Sequence, residues 1–343
     1  MKQITRNKLD SMFDNIAKTY GVKSVGNHFA ATPTIEQKLM DAITLNSDFL
    51  QRINVLGVDE MEGEKVIGSA APNPGKRTNT DDNDRQTSNP LNLDSKGYKV
   101  QKTEHDIHIK YPTLDAWAKF PDFYTRFTHY VRKSIAHGRI KTGFYGESIA
   151  AETDIATNPN GEDVNKGWIQ LLREYNGGAQ LFDEGGTAGE IRVGGAGDFT
   201  NLDALVFSML QLIDEPYRDG GDLVAILGRD LLAYDKTQLY IAQGDKPTEK
   251  ERVETAAVTR TYGGLPSYSV PYFPSRGLLI TSWDNLSIYY QEGSVRQKIE
   301  DNAKRDRVEH YNTINECYVF EDEKKAAAIE FKNLKLWDGA AFN

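Results

Sequence analysis

Between Ile53 and Tyr111 the chain makes a long polar excursion that starts and finishes as strand. Ile53-Asn54-Val55-Leu56 opens it, and Lys65-Val66-Ile67 continues the extended, β-branched character. The closing run alternates Ile107, Ile109 and Tyr111 against Asp106, His108 and Lys110. From Gly68 to Gly97 the only large aliphatic residues are Leu91 and Leu93. A loop of this length and polarity cannot build a core, so nothing within it offsets the entropy of ordering it. It is either disordered or an arm ordered by lying on another molecule. The second alternative describes a protein that assembles.

Composition narrows the rest. A length of 343 residues suggests about two domains, and 39% hydrophobic residues suffice for real cores. No run approaches the roughly 20 apolar residues of a membrane span. The first 21 residues carry charges throughout and have no apolar stretch of the secretory kind, so no signal peptide is expected. The lone Cys317 excludes an internal disulfide and suits a reducing compartment. A net charge of -9 with scattered Lys and Arg lacks the basic stripe of a protein that grips nucleic acid through its phosphates.

Residues 3–19 pattern as an amphipathic helix with Ile4, Leu9, Met12, Phe13 and Ile16 on one side. GVKSVGNHFAA follows as a flexible joint, which would make that helix a separable appendage. A second helix is expected from Thr34, with Gln37 at capping-box spacing. After Pro112, a long helix is expected from Pro121 to a cap at Gly138, with Phe123, Phe127, Tyr130, Val131 and Ile135 as an aromatic-aliphatic stripe suited to core packing. Eight glycines between 177 and 197 suggest a flexible or hairpin-rich linker. Thr200 or Asn201 caps a helix through Ile213, and Asp222–Gly228 reads as a buried strand leading into a helix from Arg229. A charged surface loop is expected from Gly244. Short strands follow at 267–270, 278–281, 286–290, 295–299, 308–320 and 326–331. The chain therefore reads as α+β with its strands concentrated at the end.

Candidate chemistry is sparse. His105 and His108, three apart on a strand, point to opposite faces and cannot share an ion. His28, His129, His137 and His310 have no second His or Cys at ligand spacing. Gly194-Gly195-Ala196-Gly197-Asp198 lacks the Lys-Ser/Thr of a phosphate loop and reads as a hinge. Asp81-Asp82 and Glu321-Asp322-Glu323 sit in polar runs that read as solvated surface. Cys317 lies among apolar neighbours in a strand and reads as a small buried hydrophobe. No catalytic, cofactor or metal site is expected, and the residues favour a structural protein over an enzyme.

The last third carries a resemblance. Gly264-Leu265-Pro266-Ser267-Tyr268-Ser269-Val270-Pro271-Tyr272-Phe273-Pro274, Leu278–Thr281 and Asp284-Asn285-Leu286-Ser287-Ile288-Tyr289-Tyr290 resemble tailed-phage major capsid proteins. More narrowly they resemble the peduovirus-type (phage P-two-like) family, whose fold is that of the Hong Kong 97 capsid. Arg305-Asp306-Arg307-Val308-Glu309-His310-Tyr311, Tyr318-Val319-Phe320-Glu321-Asp322, Arg52-Ile53-Asn54-Val55 and Thr113-Leu114-Asp115-Ala116-Trp117-Ala118 fit the same family. So do Ala151-Glu152-Thr153, Gly167-Trp168, Leu202-Asp203-Ala204-Leu205-Val206 and Glu215-Pro216. The matches run in order over nearly the whole chain.

The resemblance implies an N-terminal segment over 1–33, an N-arm over 34–52 and an extended-loop hairpin over 53–111. It further implies a peripheral domain from 112–165 and 291–343, carrying the long spine helix, and an axial domain over 166–290. The implied function is self-assembly as pentamers and hexamers into an icosahedral shell around double-stranded DNA, held without sequence specificity. The implied partners are an internal scaffold, a maturation protease and a portal, with assembly in the host bacterial cytoplasm and no membrane. Relatives of this type lose an N-terminal segment, and the implied cut lies near Phe29, Ala30 and Ala31. A nanocompartment shell of the same fold enclosing an enzyme cargo is one rival. A nucleotide-using α/β enzyme built around Gly194–Asp198 and the Asp222–Gly228 strand is the other.

Overall fold

The computed structural model describes residues 1–70, 77–78, 91–243 and 261–343. The tip of the polar excursion, with Asp81-Asp82, and the expected charged loop from Gly244 lie outside the described residues. The chain opens with α1 (Gln3–Tyr20), β1 (Phe29–Ala30), α2 (Pro33–Thr44) and β2 (Asn54–Val58). The excursion supplies β3 (Glu62–Ala70) and β4 (Leu91–Lys99), then β5 (Gln101–Glu104) and β6 (Ile107–Lys110). Helices α3 (Tyr111–Trp117), α4 (Phe123–Tyr145) and α5 (Trp168–Glu174) follow. Next come β7 (Leu181–Phe182), β8 (Ile191–Val193), α6 (Leu202–Leu210), α7 (Glu215–Arg218), β9 (Val224–Leu227) and α8 (Arg229–Gln243). The end is strand-rich: β10 (Thr261–Tyr262), β11 (Leu265–Tyr268), β12 (Leu278–Thr281), β13 (Leu286–Gln291) and β14 (Arg296–Asn302). The closing strands are β15 (Arg307–Phe320), β16 (Ala327–Ile329) and β17 (Leu334–Leu336).

Two sheets organise the body. The first runs β1-β14-β15-β13-β2, with β5 and β6 also on β15. Strand β15 is long enough to change neighbours: residues 307–310 lie between β14 and β6, and 316–320 pair with β13. The second sheet runs β10-β11-β9-β12-β16-β7. Its central strand β9 is apolar and buried at every position because each face covers a different core. Val224 and Ile226 face the core under α4, whereas Ala225 and Leu227 face the core under α6. Alternating side chains make such a two-sided strand read as one continuous buried run.

Several expected boundaries move, for local reasons. Helix α2 starts at Pro33, whose fixed φ suits the first turn, so Thr34 sits inside the helix and the Thr34–Gln37 capping box does not form. Helix α4 does not stop at Gly138 but continues to Tyr145, because Arg139, Ile140 and Phe144 prolong its buried stripe. It ends beside α5 in close contact: a Cβ at Gly143 would collide with the Trp168 ring. Helix α6 is capped by Asn201, whose side chain accepts from the Ala204 N–H at 2.8 Å. The segments 166–290 and 291–343 do not each keep to one sheet. Strand β13 belongs to the first sheet, and β16 returns to the second.

Candidate assembly surfaces

Strands β3 and β4 pair antiparallel from Glu62↔Lys99 to Ala70↔Leu91, forming a separate two-stranded ribbon. Pairing thus reaches deeper into the polar stretch than its side chains suggest, because a ribbon needs backbone partners more than an apolar face. The ribbon base is not free of its own chain, which corrects the expectation for the start and end of the arm. The Lys65 ammonium donates to the Phe320 carbonyl and lies 3.2 Å from Glu323. Lys96 reaches the other Glu323 oxygen at 2.7 Å and stands 3.7 Å over the Tyr175 ring. Burial pulls the Lys65 ammonium below its usual range, against the pull of Glu323. Tyr98 meets Tyr289 edge-on at 5.2 Å, beside Val100, Val319 and Cys317. Burial drives the Cys317 thiol up to about 12, as suits a small core residue.

The N-terminal helix is docked. Leu9, Met12 and Ile16 are buried, and the Lys2 N–H and Thr5 hydroxyl both donate to Asp115. Lys8 donates to the Phe120 carbonyl at 2.7 Å, and Arg6 pairs with Asp301. The expected flexible joint is an ordered strap. The Ile299 N–H donates to Val25, and the Ala31 N–H donates to Val295. Phe29 and Ala30 pair with Gln297 and Arg296 at the edge of the first sheet, and the Phe29 ring packs 4.9 Å from Tyr20. Of the three candidate cleavage residues, Phe29 and Ala31 are buried and Ala30 is exposed. An apolar stripe on α1 and a sheet edge at β14 supply the partners that the sequence could not locate.

Beneath α4 lies a buried ionic cluster that sequence reasoning missed. Arg139 donates to Glu316 at 2.8 Å, with both side chains 1% exposed. His105 Nε2 lies 3.0 Å from the other Glu316 oxygen. A second Arg139 nitrogen contacts the Met40 sulfur at 3.3 Å. Burial alone would raise the Glu316 carboxyl, but Arg139 and then His105 outweigh it and hold it at about 2. One signal was available: Glu316 occupies the inward phase of β15, among Ile314, Tyr318 and Phe320. His105 and His108 do separate, with His108 exposed, because a break at His105-Asp106 divides β5 from β6.

The glycine stretch corrects the hinge reading. Gly194 and Gly195 adopt φ of 87° and 56°, in a turn fixed by Asp198, which accepts from the Gly186 and Arg192 N–H groups at 2.8 Å. A Cβ at Gly194 would strike the Tyr234 hydroxyl, and one at Gly195 would strike Trp337. Both glycines are therefore held close against side chains of the same chain.

The body thus has two cores sharing one sheet, a strap at a sheet edge and a separate two-stranded ribbon. A family model described as "Phage major capsid protein, P2 family" matches residues 8–331. The protein described as "Capsid proteins" of Escherichia phage P2 is 36% identical over 339 residues, covering 96% of this chain and 95% of that one. The major capsid protein of Serratia phage KSP20 is 31% identical over 338 residues, covering 96% and 97%. A solved structure described as "Satellite phage P4 procapsid including size determination (Sid) protein" matches with a TM-score of 0.77 at 35% identity, covering 98% of this chain and 99% of that one.

These matches place the protein among the shell-building subunits of tailed phages, with the Hong Kong 97-like capsid fold. More narrowly, the chain belongs to the P2 family of phage major capsid proteins. It self-assembles into the multimeric shell of a virion. Among the described residues no helix is long and apolar enough to cross a membrane.

Proposed function

We propose that the chain assembles as pentamers and hexamers of an icosahedral shell that encloses double-stranded DNA without reading its sequence. The β3–β4 ribbon carries this reading. It is clamped at its base by Glu323 yet pairs with neither large sheet, so its length is free to lie across another subunit. A two-stranded ribbon is marginal alone in water and gains from such a support. Residues 112–165 and 291–343 serve as the peripheral domain and 166–290 as the axial domain, with β13 and β16 crossing between them. The chain acts by assembly and not by catalysis. Assembly takes place in the host bacterial cytoplasm on an internal scaffold, around a portal. The P4 relative, solved as a procapsid, supports a precursor stage. Family membership favours this shell over a nanocompartment. Coexpression with the cognate scaffold should yield closed particles under electron microscopy, and a chain that stays monomeric there would overturn the reading.

The N-terminal segment over 1–33 is proposed to be removed by a maturation protease near Phe29, Ala30 and Ala31. The strap lies at a sheet edge, where lifting β1 from β14 frees an extended substrate without opening the sheet interior. Mass spectrometry of the capsid protein from mature virions should find a new terminus between Val25 and Thr34. A terminus at Met1 or Lys2 would reject processing.

A further inference from the structure

Just before β2, Arg52 is exposed, with its guanidinium 5.1 Å from the Tyr268 ring centre and 5.4 Å from that of Trp283. The two rings meet edge-on at 5.2 Å, and Trp283 in turn packs 6.1 Å from buried Phe49. A guanidinium held over rings engages them through its charge and its faces, which leaves its N–H groups for another partner. Among the described residues none of those groups donates a hydrogen bond, and no carboxylate pairs with Arg52. Even Asp48, which lines the same recess of about 410 Å³, forms no ion pair with it. The fork is therefore positioned in advance for a carboxylate from outside the chain.

The turn between β2 and β3 carries the complement. Asp59 and Glu60 are both exposed, and among the described residues neither carboxylate has an ion pair or accepts a hydrogen bond. Leu56 and Met61 flank them, 46% and 50% exposed. Asp183-Glu184 and Asp214-Glu215 are exposed pairs too, but no exposed large apolar residue flanks either. On the Arg52 side Leu45 is 69% exposed, and its carbonyl accepts from the Gln51 amide. Each patch thus sets uncovered apolar surface beside unpaired charge, a cation on one and two carboxylates on the other. Strand β2 stands between them, five extended residues or about 17 Å, so one chain cannot close the contact on itself.

We propose that Arg52 of one copy receives the Asp59-Glu60 turn of the next, with Leu45 covered by Leu56 and Met61. Two unlike patches on one chain make a head-to-tail contact, which closes into a ring when the rotation allows. Anchored arginines at the centre of such contacts carry a large share of the binding energy. The inference rests on the reading of this chain as a builder of five- and six-membered rings.

Coexpression of the full chain with its cognate scaffold, read by sedimentation and electron microscopy, tests this. Arg52→Glu should abolish closed particles, and so should Asp59→Arg combined with Glu60→Arg. All three substitutions together should restore them, because the charges then meet again with their signs exchanged. Particles from either reversal alone would overturn the proposal. So would a triple variant that fails to assemble, which would assign Arg52 to a carboxylate of the scaffold or to none. A native chain that forms no particles would instead overturn the shell reading, and this contact with it.

Discussion

Glu316→Gln is expected to destabilise the subunit by about 3–5 kcal/mol, because it leaves the Arg139 charge buried without a counter-charge. Urea unfolding of the full chain measures the loss. Replacing both partners, Glu316→Leu with Arg139→Met, should recover most of it, since a buried ion pair is often matched by apolar residues of similar volume. If the single variant costs no more than the double one, the cluster is not held by its charges. The native pair also sets an acid limit. Glu316 titrates at about 2 in the folded chain against an ordinary 4.5. A carboxyl with a depressed folded pKa contributes stability above its unfolded value and loses it as pH falls towards the folded one. The loss, about 3 kcal/mol, should therefore fall between pH 4.5 and 2.

A second acid loss should come earlier and from a different residue. Burial drives the His310 imidazole down from 6.5 to about 4. The unfolded chain takes up a proton between those values while the folded chain does not. Stability is then complete above pH 6.5 and falls by about 3 kcal/mol as pH drops to 4. His310→Leu should flatten stability between pH 6.5 and 4 and leave the lower window of Glu316 in place. A slope that persists in that variant would assign the earlier loss to another group.

Much of the architecture was legible from side-chain periodicity. Strand β12 lies where the sequence places it as a short continuous apolar run, and β15, a long run, differs from its expected start by one residue. Helix α4 was legible in kind but not in length. Gly138 is a stop signal in isolation, and only the packing of Ile140 and Phe144 further along overrides it. The assembly surfaces were legible in part. Polarity marked the ribbon as something without a core, yet its clamp joins Lys65 and Lys96 to Glu323 across more than two hundred residues, and no local pattern records such a pairing. Glu323 itself read as solvated surface and is nine-tenths buried. The strap failed for the opposite reason. GVKSVGNHFAA has the composition of a joint, but β14 offers an unpaired edge that any short extended segment can fill.

The six-stranded sheet acts as a partition one backbone thick between two packed interiors. Consecutive residues such as Ala225 and Ile226 answer to opposite sides of it, so neither interior can be repacked without the other registering the change. Hinging at that partition would tear both at once. A wall of many copies must curve, and the give it needs has to come from parts fastened at one end only. In this chain that part is the β3–β4 ribbon, fastened at its base by Glu323, so the molecule keeps its stiffness at the centre and its adjustability at the margin.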